Sequence, residues 1–242
     1  MYQFNDNRYP QEMTQTMTKS FVSTVFMWMF AALGITAATA YLFGTNVNLM
    51  NLLMQVTPQG TAKVSLLGWI VTFAPFVIVL VMSARINRMS VQKTVLWYVI
   101  YSILMGMSLS FIFWAYTTAS IFKTFIITAG MFGVMAVVGY TTNTDLTKFG
   151  SFLIMALIGV IIATLVNFFM HSARLDYIIS ILGVLIFTGL TAFDVQKIKQ
   201  IGNAGINDGD VMAKITIHAA LTLYLDFLNL FLYLLRFFGN RD

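Results

Sequence analysis

The chain has 242 residues, of which 59% are hydrophobic and only 10% are charged, whereas about a quarter of the residues in soluble proteins are charged. This composition excludes a soluble globular fold, because too few polar residues remain to cover an apolar core. The absence of cysteine and the presence of only two histidines argue against disulfides and against Cys- or His-built metal sites. The net charge of +5 comes from lysines and arginines spread over the ends of apolar runs, so we expect no nucleic-acid partner.

Residues 1–20 are polar and contain Pro10, and we expect them to form a short flexible arm. Seven apolar runs follow, each close to the roughly 20 residues that span a bilayer. Lipid cannot hydrogen-bond an exposed backbone, and the runs lack the alternation of barrel strands, so the spans are helices. We therefore predict an all-α integral membrane protein with a single seven-span domain over 21–242. The predicted spans are 21–43, 66–82, 94–116, 121–140, 150–170, 177–197 and 213–238.

Small residues recur at every fourth position in two of the spans. Ser102, Gly106 and Ser110 form such a face in the third span, and Gly159 and Ala163 form one in the fifth. Small faces of this kind let membrane helices approach closely, so we expect a neighbouring helix to pack on each of them.

The distribution of Lys and Arg between the spans predicts the orientation in the membrane. With the N-terminus in the cytoplasm, nine of these residues lie on the cytoplasmic side and five on the far side. Positive charge collects on the cytoplasmic side of membrane proteins, so we predict a cytoplasmic N-terminus and a C-terminus on the opposite side.

Two aspartates lie within predicted spans, where a central Asp costs about 2.5 to 3.5 kcal/mol on insertion scales. Asp194 lies near the cytoplasmic end of the sixth span, and Asp226 lies near the middle of the seventh. If the two carboxyl groups meet in a low-dielectric site, they cannot both ionise cheaply and should share a proton. Such a pair would sense pH and could contact Ca²⁺, although a complete calcium site needs six to eight oxygens.

Asp226 belongs to a polar stripe on the last span, formed by His218, Thr222, Asp226, Asn229 and Tyr233 at helical spacing. The opposite face of the helix is apolar. The stripe is expected to face the interior of the bundle or a wet cavity, where it could be an ion pathway. The alternative is a polar seam that holds two helices together.

Contact between Asp194 and Asp226 depends on where the chain reverses between them. Antiparallel helices bring the two level if the turn centres on residue 210, whereas the turn-like stretch 202–210 centres near 206. The mismatch amounts to about eight residues, or about 12 Å along a helix. Contact therefore requires an off-centre turn or an irregular start to the last helix.

Arg85 and Arg88 close the second span on the same predicted membrane side as Asp194. Arginines at this position commonly reflect the positive-inside distribution alone. The alternative is a gate, in which one of them pairs with an ionised aspartate and releases it when the aspartate is protonated.

The last span resembles the signature of the Bax inhibitor-1 family over 223–231 and 235–239. The segment 193–196 around Asp194 and the segment 106–110 are similar to further family positions. The resemblance implies a seven-helix bundle with the last helix near its centre, and a pH-sensitive calcium leak gated by Asp194 and Asp226. It also implies an arginine at the end of span two that bonds the span-six aspartate in the closed state.

The same resemblance implies a bacterial cytoplasmic membrane and association with a membrane-anchored ATP-dependent protease. A non-conducting protein that regulates such a protease is therefore the alternative function. An enzyme is not expected, because the Gly-x-Gly-Asp and Pro-Ala-Leu motifs of intramembrane aspartyl proteases and the Gly-x-Ser-Gly motif of rhomboid proteases are absent. We expect no cofactor other than calcium as a bound or transported ion.

Overall fold

The computed structural model describes residues 8–56, 62–204, 206 and 208–240. The described chain is almost entirely helical, with one short β-ribbon. In chain order the elements are α1 (Arg8–Thr45), α2 (Val47–Leu53), β1 (Met54–Val56), β2 (Ala62–Val64), α3 (Leu66–Arg85), α4 (Val91–Leu109), α5 (Ile112–Ala115), α6 (Thr118–Thr141), α7 (Thr147–Met170), α8 (Ala173–Asn203) and α9 (Gly209–Phe238).

The predicted all-α membrane architecture is confirmed, since seven of the described helical segments are long and apolar enough to cross a bilayer. Each coincides with a predicted span, and most extend it by a few residues at one or both ends. Helix α9 is the most buried of the seven, with 67% of its apolar window buried against 11% for α7. This burial is the property expected of a helix near the centre of the bundle.

Helix α1 begins at Arg8, well before residue 20, where the predicted arm ends. Residues 8–20 are therefore helical, and residues 1–7 of the arm lie outside the described residues. Pro10 is compatible with this helix because it lies in the first turn, where backbone N–H groups have no intrahelical acceptor.

The connection between the first two spans contains a small structured cap that the sequence analysis missed. Strands β1 and β2 pair antiparallel, with Gln55 opposite Lys63. Ser65 then starts α3, because its hydroxyl accepts a hydrogen bond from the N–H of Gly68 and donates one to the carbonyl of Leu52. These bonds satisfy backbone groups that would otherwise be unpaired where the chain re-enters the apolar region.

The described chain divides into two compact units. The first comprises Met1–Trp28 and Ala129–Leu230, and the second comprises Met29–Thr128 and Phe231–Asp242. Asp194 and Asp226 both belong to the first unit, whereas Arg85 and Arg88 belong to the second. The description of residues 21–242 as one membrane domain stays a prediction.

Within the second unit, the small face of α4 packs closely on α1. The Thr36 hydroxyl donates a 2.9 Å hydrogen bond to the carbonyl of Ser102, and a Cβ added to Gly106 would lie 2.6 Å from the carbonyl oxygen of Thr36. The small face of α7 is different, because a Cβ added to Gly159 would meet no atom within 4 Å. The expected close packing is present at Gly106, and among the described residues it is absent at Gly159.

Gly106→Ala is therefore expected to lower the stability of the protein, by about 1 to 3 kcal/mol, because the added methyl group overlaps a backbone carbonyl. Gly159→Ala adds the same methyl group in open space and should be neutral or slightly stabilising. Thermal unfolding of both variants in detergent checks the difference. Equal stability of the two variants would show that α1 and α4 do not approach this closely.

Candidate functional site

The two intramembrane aspartates lie on consecutive helices of the first unit. Asp194 is half-buried on α8, nine residues before its end at Asn203, and Asp226 is only 5% exposed on α9. Tight packing holds α8 at this point, because Ala192 contacts Gly139 of α6 and Phe193 contacts Gly150 of α7. Asp194 thus projects from a segment whose backbone is fixed by two neighbouring helices.

The carboxyl groups of Asp194 and Asp226 approach each other to within hydrogen-bonding reach. A carboxylate is only an acceptor, so a hydrogen bond between two carboxyl groups requires that one of them carries a proton and donates it. A proton shared by the two carboxyl groups would meet this requirement, and the shared proton stays a prediction.

The other oxygen of Asp226 is unsatisfied. Its Oδ2 atom is buried and has no hydrogen-bond partner within the described part of the chain. Leaving a buried polar atom unpaired costs about 1 to 3 kcal/mol, and such atoms mark places where a proton, water or ion can bind.

The first part of α9 borders a cavity, which bears on the eight-residue mismatch between the two aspartates. Its first two turns, Gly209 to Thr216, border a cavity of about 640 Å³ that is also lined by Gly202 of α8 and Phe21 of α1. If α9 packs on α8 only beyond this cavity, Asn203 lies level with Ile217. Asp194 is nine residues before Asn203 and Asp226 is nine residues after Ile217, so the eight residues at the cavity account for the mismatch.

Charged and polar neighbours complete the surroundings of the pair. Lys197, one turn after Asp194 on α8, interacts electrostatically with Asp194 and with His218 of α9. Lys197 is exposed to solvent, whereas His218 is half-buried. Lys197 is therefore a charged neighbour that Asp194 and His218 share.

The rest of the predicted polar stripe is half-buried, and two of its members bond to their own helix. Thr222 donates to the carbonyl of His218, and Asn229 donates a 2.8 Å hydrogen bond to the carbonyl of Leu225. Tyr233 lies 6.0 Å from the guanidinium of Arg236 in a cation–π contact. Bonds to the same helix do not join two helices, so Thr222 and Asn229 give no support to the polar-seam interpretation.

A polar clamp beside Asp194 was missed in the sequence. The Gln196 side chain accepts a 2.9 Å hydrogen bond from the N–H of Leu146 and donates a 2.8 Å hydrogen bond to the carbonyl of Thr144. Lys199 donates to the carbonyl of Tyr140 and lies 5.2 Å from the centre of its ring. Together they tie the α6–α7 connection to the turn of α8 that carries Asp194.

Gln196→Ala is expected to release this connection, because the N–H of Leu146 and the carbonyl of Thr144 lose their partners. The cost should be about 1 to 3 kcal/mol, and amide exchange at residues 144–147 should become faster. Hydrogen–deuterium exchange measures this directly. Gln200→Ala, at an exposed position one turn further along α8, is the matched control and should leave the exchange unchanged.

Arg85 and Arg88 lie at the end of α3 in the second unit, where both are exposed. A bond between either arginine and Asp194 stays a prediction. Calcium binding by Asp194 and Asp226 also stays a prediction, and the described residues contain no group of three or more His, Asp or Glu side chains that could hold a metal ion. Two carboxyl groups can contact a passing Ca²⁺ but supply few of its six to eight oxygens.

Comparison with known proteins identifies the family of this chain. A family model described as inhibitor of apoptosis-promoting Bax1 matches residues 18–242. The chain is 45% identical over 224 residues to the inner membrane protein YbhL of Escherichia coli K12, covering 92% of each chain. It is 44% identical over 232 residues to an uncharacterized protein of Borreliella burgdorferi, covering 96% of this chain and 97% of that one. The chain therefore belongs to the Bax inhibitor-1 family, the family that its last span resembles.

Proposed function

We propose that this protein is a pH-sensitive calcium leak channel of a bacterial inner membrane, gated by the pair formed by Asp194 and Asp226. The observation that carries the proposal is the close approach of two carboxyl groups within a membrane-spanning region. Carboxylate oxygens are suitable ligands for Ca²⁺, and the unpaired Oδ2 of Asp226 is a buried acceptor for a proton or a cation. No enzymatic activity and no resident cofactor are part of the proposal.

In the proposed mechanism, the number of protons on the pair sets its charge. Without a proton the pair carries two negative charges, which can hold a cation such as the guanidinium of Arg85 or Arg88 in a closed state. One shared proton halves this charge and weakens the attraction for the arginine. Calcium influx should therefore rise as the pH falls.

The proposed location rests on two arguments. YbhL, which is similar along nearly its whole length, is named as an inner membrane protein. The excess of Lys and Arg in alternate loops supports a cytoplasmic N-terminus. A membrane-anchored ATP-dependent protease is a proposed partner, as the family resemblance implies.

The proposal is tested by calcium influx into liposomes that contain the purified protein and a calcium-sensitive dye. Influx should exceed that into protein-free liposomes and should increase between pH 8 and pH 6. Asp145→Asn is a suitable control, because Asp145 is an exposed carboxylate between α6 and α7. Hydrogen bonds from the hydroxyl and the N–H of Thr147 hold the pKa of Asp145 below its ordinary value, so its charge is constant over this pH range.

Absence of calcium flux at every pH, from a protein that is folded in the liposome, would refute the leak. The alternative, a non-conducting regulator of the protease, would then be the better account. Equal influx at pH 6 and pH 8 would refute the pH sensor while leaving a constitutive leak.

A further inference from the structure

A basic cavity of about 400 Å³ lies in the second unit, where α3 ends and α4 begins. Three of its lining side chains are cations and the others are largely apolar. The lining residues are Val81, Arg85, Arg88, Met89, Lys93 and Trp97. The three cations come from three successive pieces of chain, namely the last turn of α3, the short turn Ile86–Arg88 and the first turn of α4.

These cations have no acidic counterpart in their unit. The sequence contains no Asp or Glu from residue 13 to residue 144, and the only acidic residue of the second unit is the C-terminal Asp242. Three positive charges around one cavity repel each other, and the described part of this unit offers no carboxylate to compensate them. The cavity is therefore electrostatically suited to an anion that its own unit does not supply.

The cavity lies at the edge of the apolar surface. Phe76 and Leu80 of α3 are 69% and 68% exposed, and Leu96 of α4 is 57% exposed. Large apolar side chains this exposed on membrane-spanning helices face lipid, and this surface ends within about one turn of Arg85 and Lys93. Trp97 is 37% exposed beside the cavity, and tryptophan is enriched where hydrocarbon meets headgroups.

We propose that this cavity binds the headgroup of an anionic phospholipid. The guanidinium groups of Arg85 and Arg88 suit phosphate oxygens because their planar forks can donate two parallel hydrogen bonds, and Lys93 adds a point charge. Phosphate is also available as a free anion. The lipid is favoured because Val81 and Trp97 form an apolar wall that a glycerol backbone and the first part of an acyl chain can cover.

The test uses the full-length protein in a neutral detergent. Retention of phosphatidylglycerol and of phosphatidylcholine with the same acyl chains is compared by native mass spectrometry. The wild-type protein should retain phosphatidylglycerol preferentially, and added salt should weaken this preference. The triple variant Arg85→Gln, Arg88→Gln, Lys93→Gln should bind phosphatidylglycerol more weakly by at least about tenfold, since each surface cation contributes several-fold to affinity for anionic lipid.

A matched control removes three exposed cations elsewhere, with Lys63→Gln, Lys123→Gln and Lys148→Gln, and should keep the preference. The double variant Arg85→Lys, Arg88→Lys keeps the charge but loses the planar forks, so it should still prefer phosphatidylglycerol while binding it more weakly than the wild-type protein, and this holds even if the triple variant fails to fold. Equal retention of both lipids by the wild-type protein, or an unchanged preference in a folded triple variant, would overturn the proposal. Binding of inorganic phosphate to the same cations as tightly as phosphatidylglycerol would overturn the assignment to lipid.

Discussion

Asp226→Asn is expected to remove most of the pH dependence of calcium influx into liposomes. Asparagine has nearly the shape of a protonated aspartate, and it can still donate a hydrogen bond to Asp194, but it cannot gain or lose a proton in this pH range. A step controlled by one proton changes by at most about tenfold per pH unit. The ratio of influx at pH 6 to influx at pH 8 should therefore fall from several-fold in the wild-type protein toward one.

Asp194→Asn should have the same effect, because the proposed sensor is the pair and neither carboxyl group titrates alone. Asp145→Asn should leave the ratio as in the wild-type protein. If both variants of the pair kept the wild-type ratio while remaining folded, the pH sensor would have to lie elsewhere. The half-buried His218 would then be the next group to substitute.

Replacing both aspartates by leucine is expected to stabilise the protein while abolishing pH-sensitive flux. Removing both partners of a buried polar pair and filling the space with apolar groups is often neutral or stabilising, by up to about 4 kcal/mol. Asp226→Leu alone should instead destabilise by about 1 to 3 kcal/mol, because Asp194 loses its hydrogen-bond partner. Thermal unfolding of the wild-type protein, both single variants and the double variant in detergent gives the coupling energy between the sites.

Asn229→Leu is the matched control for this cycle. Asn229 is a half-buried polar residue on the same helix, but its side chain bonds the carbonyl of Leu225 within α9 and not Asp194. Its effect should add to that of Asp194→Leu within about 0.5 kcal/mol. Additive effects of Asp194→Leu and Asp226→Leu would show that the two carboxyl groups do not interact, and would contradict the hydrogen-bonded pair.

The seven spans could be predicted because the length of an apolar run is a local property of the sequence. The membrane thickness sets that length, and continuous helices satisfy their own backbone groups. The β-ribbon could not be predicted in this way, because strands of three residues such as Met54–Val56 carry no usable periodicity. The predicted first span begins at residue 21, whereas α1 begins at Arg8, because the polar turns from Arg8 onward carry no apolar periodicity.

The two aspartates could be found from the sequence because a carboxyl group in an apolar run is rare and costly. Their contact could not be derived, because it depends on where α9 begins to pack on α8. Helix α8 ends at Asn203 and α9 begins at Gly209, so the centre of the connection is close to residue 206, as the sequence suggests. No local pattern reports a cavity formed by three helices.

The hydrogen bonds of Gln196 could not be predicted either, because they join segments that are distant in the sequence. Its partners, Thr144 and Leu146, are about fifty residues away in the sequence, and a glutamine at the end of a span has many possible roles. Only the packing of α7 and α8 brings that connection to Gln196. The one feature of the sequence that points to Gln196 is its position in the segment 193–196, two residues after Asp194.

The central claim is that Asp194 and Asp226 share a proton, and infrared spectroscopy of the protein in liposomes tests it most directly. A protonated carboxyl group has a C=O stretching band that is distinct from the bands of a carboxylate. We expect this band in the wild-type protein at pH 7, its loss in Asp226→Asn and Asp194→Asn, and its retention in Asp145→Asn. A wild-type spectrum with carboxylate bands alone at pH 7 would contradict the account.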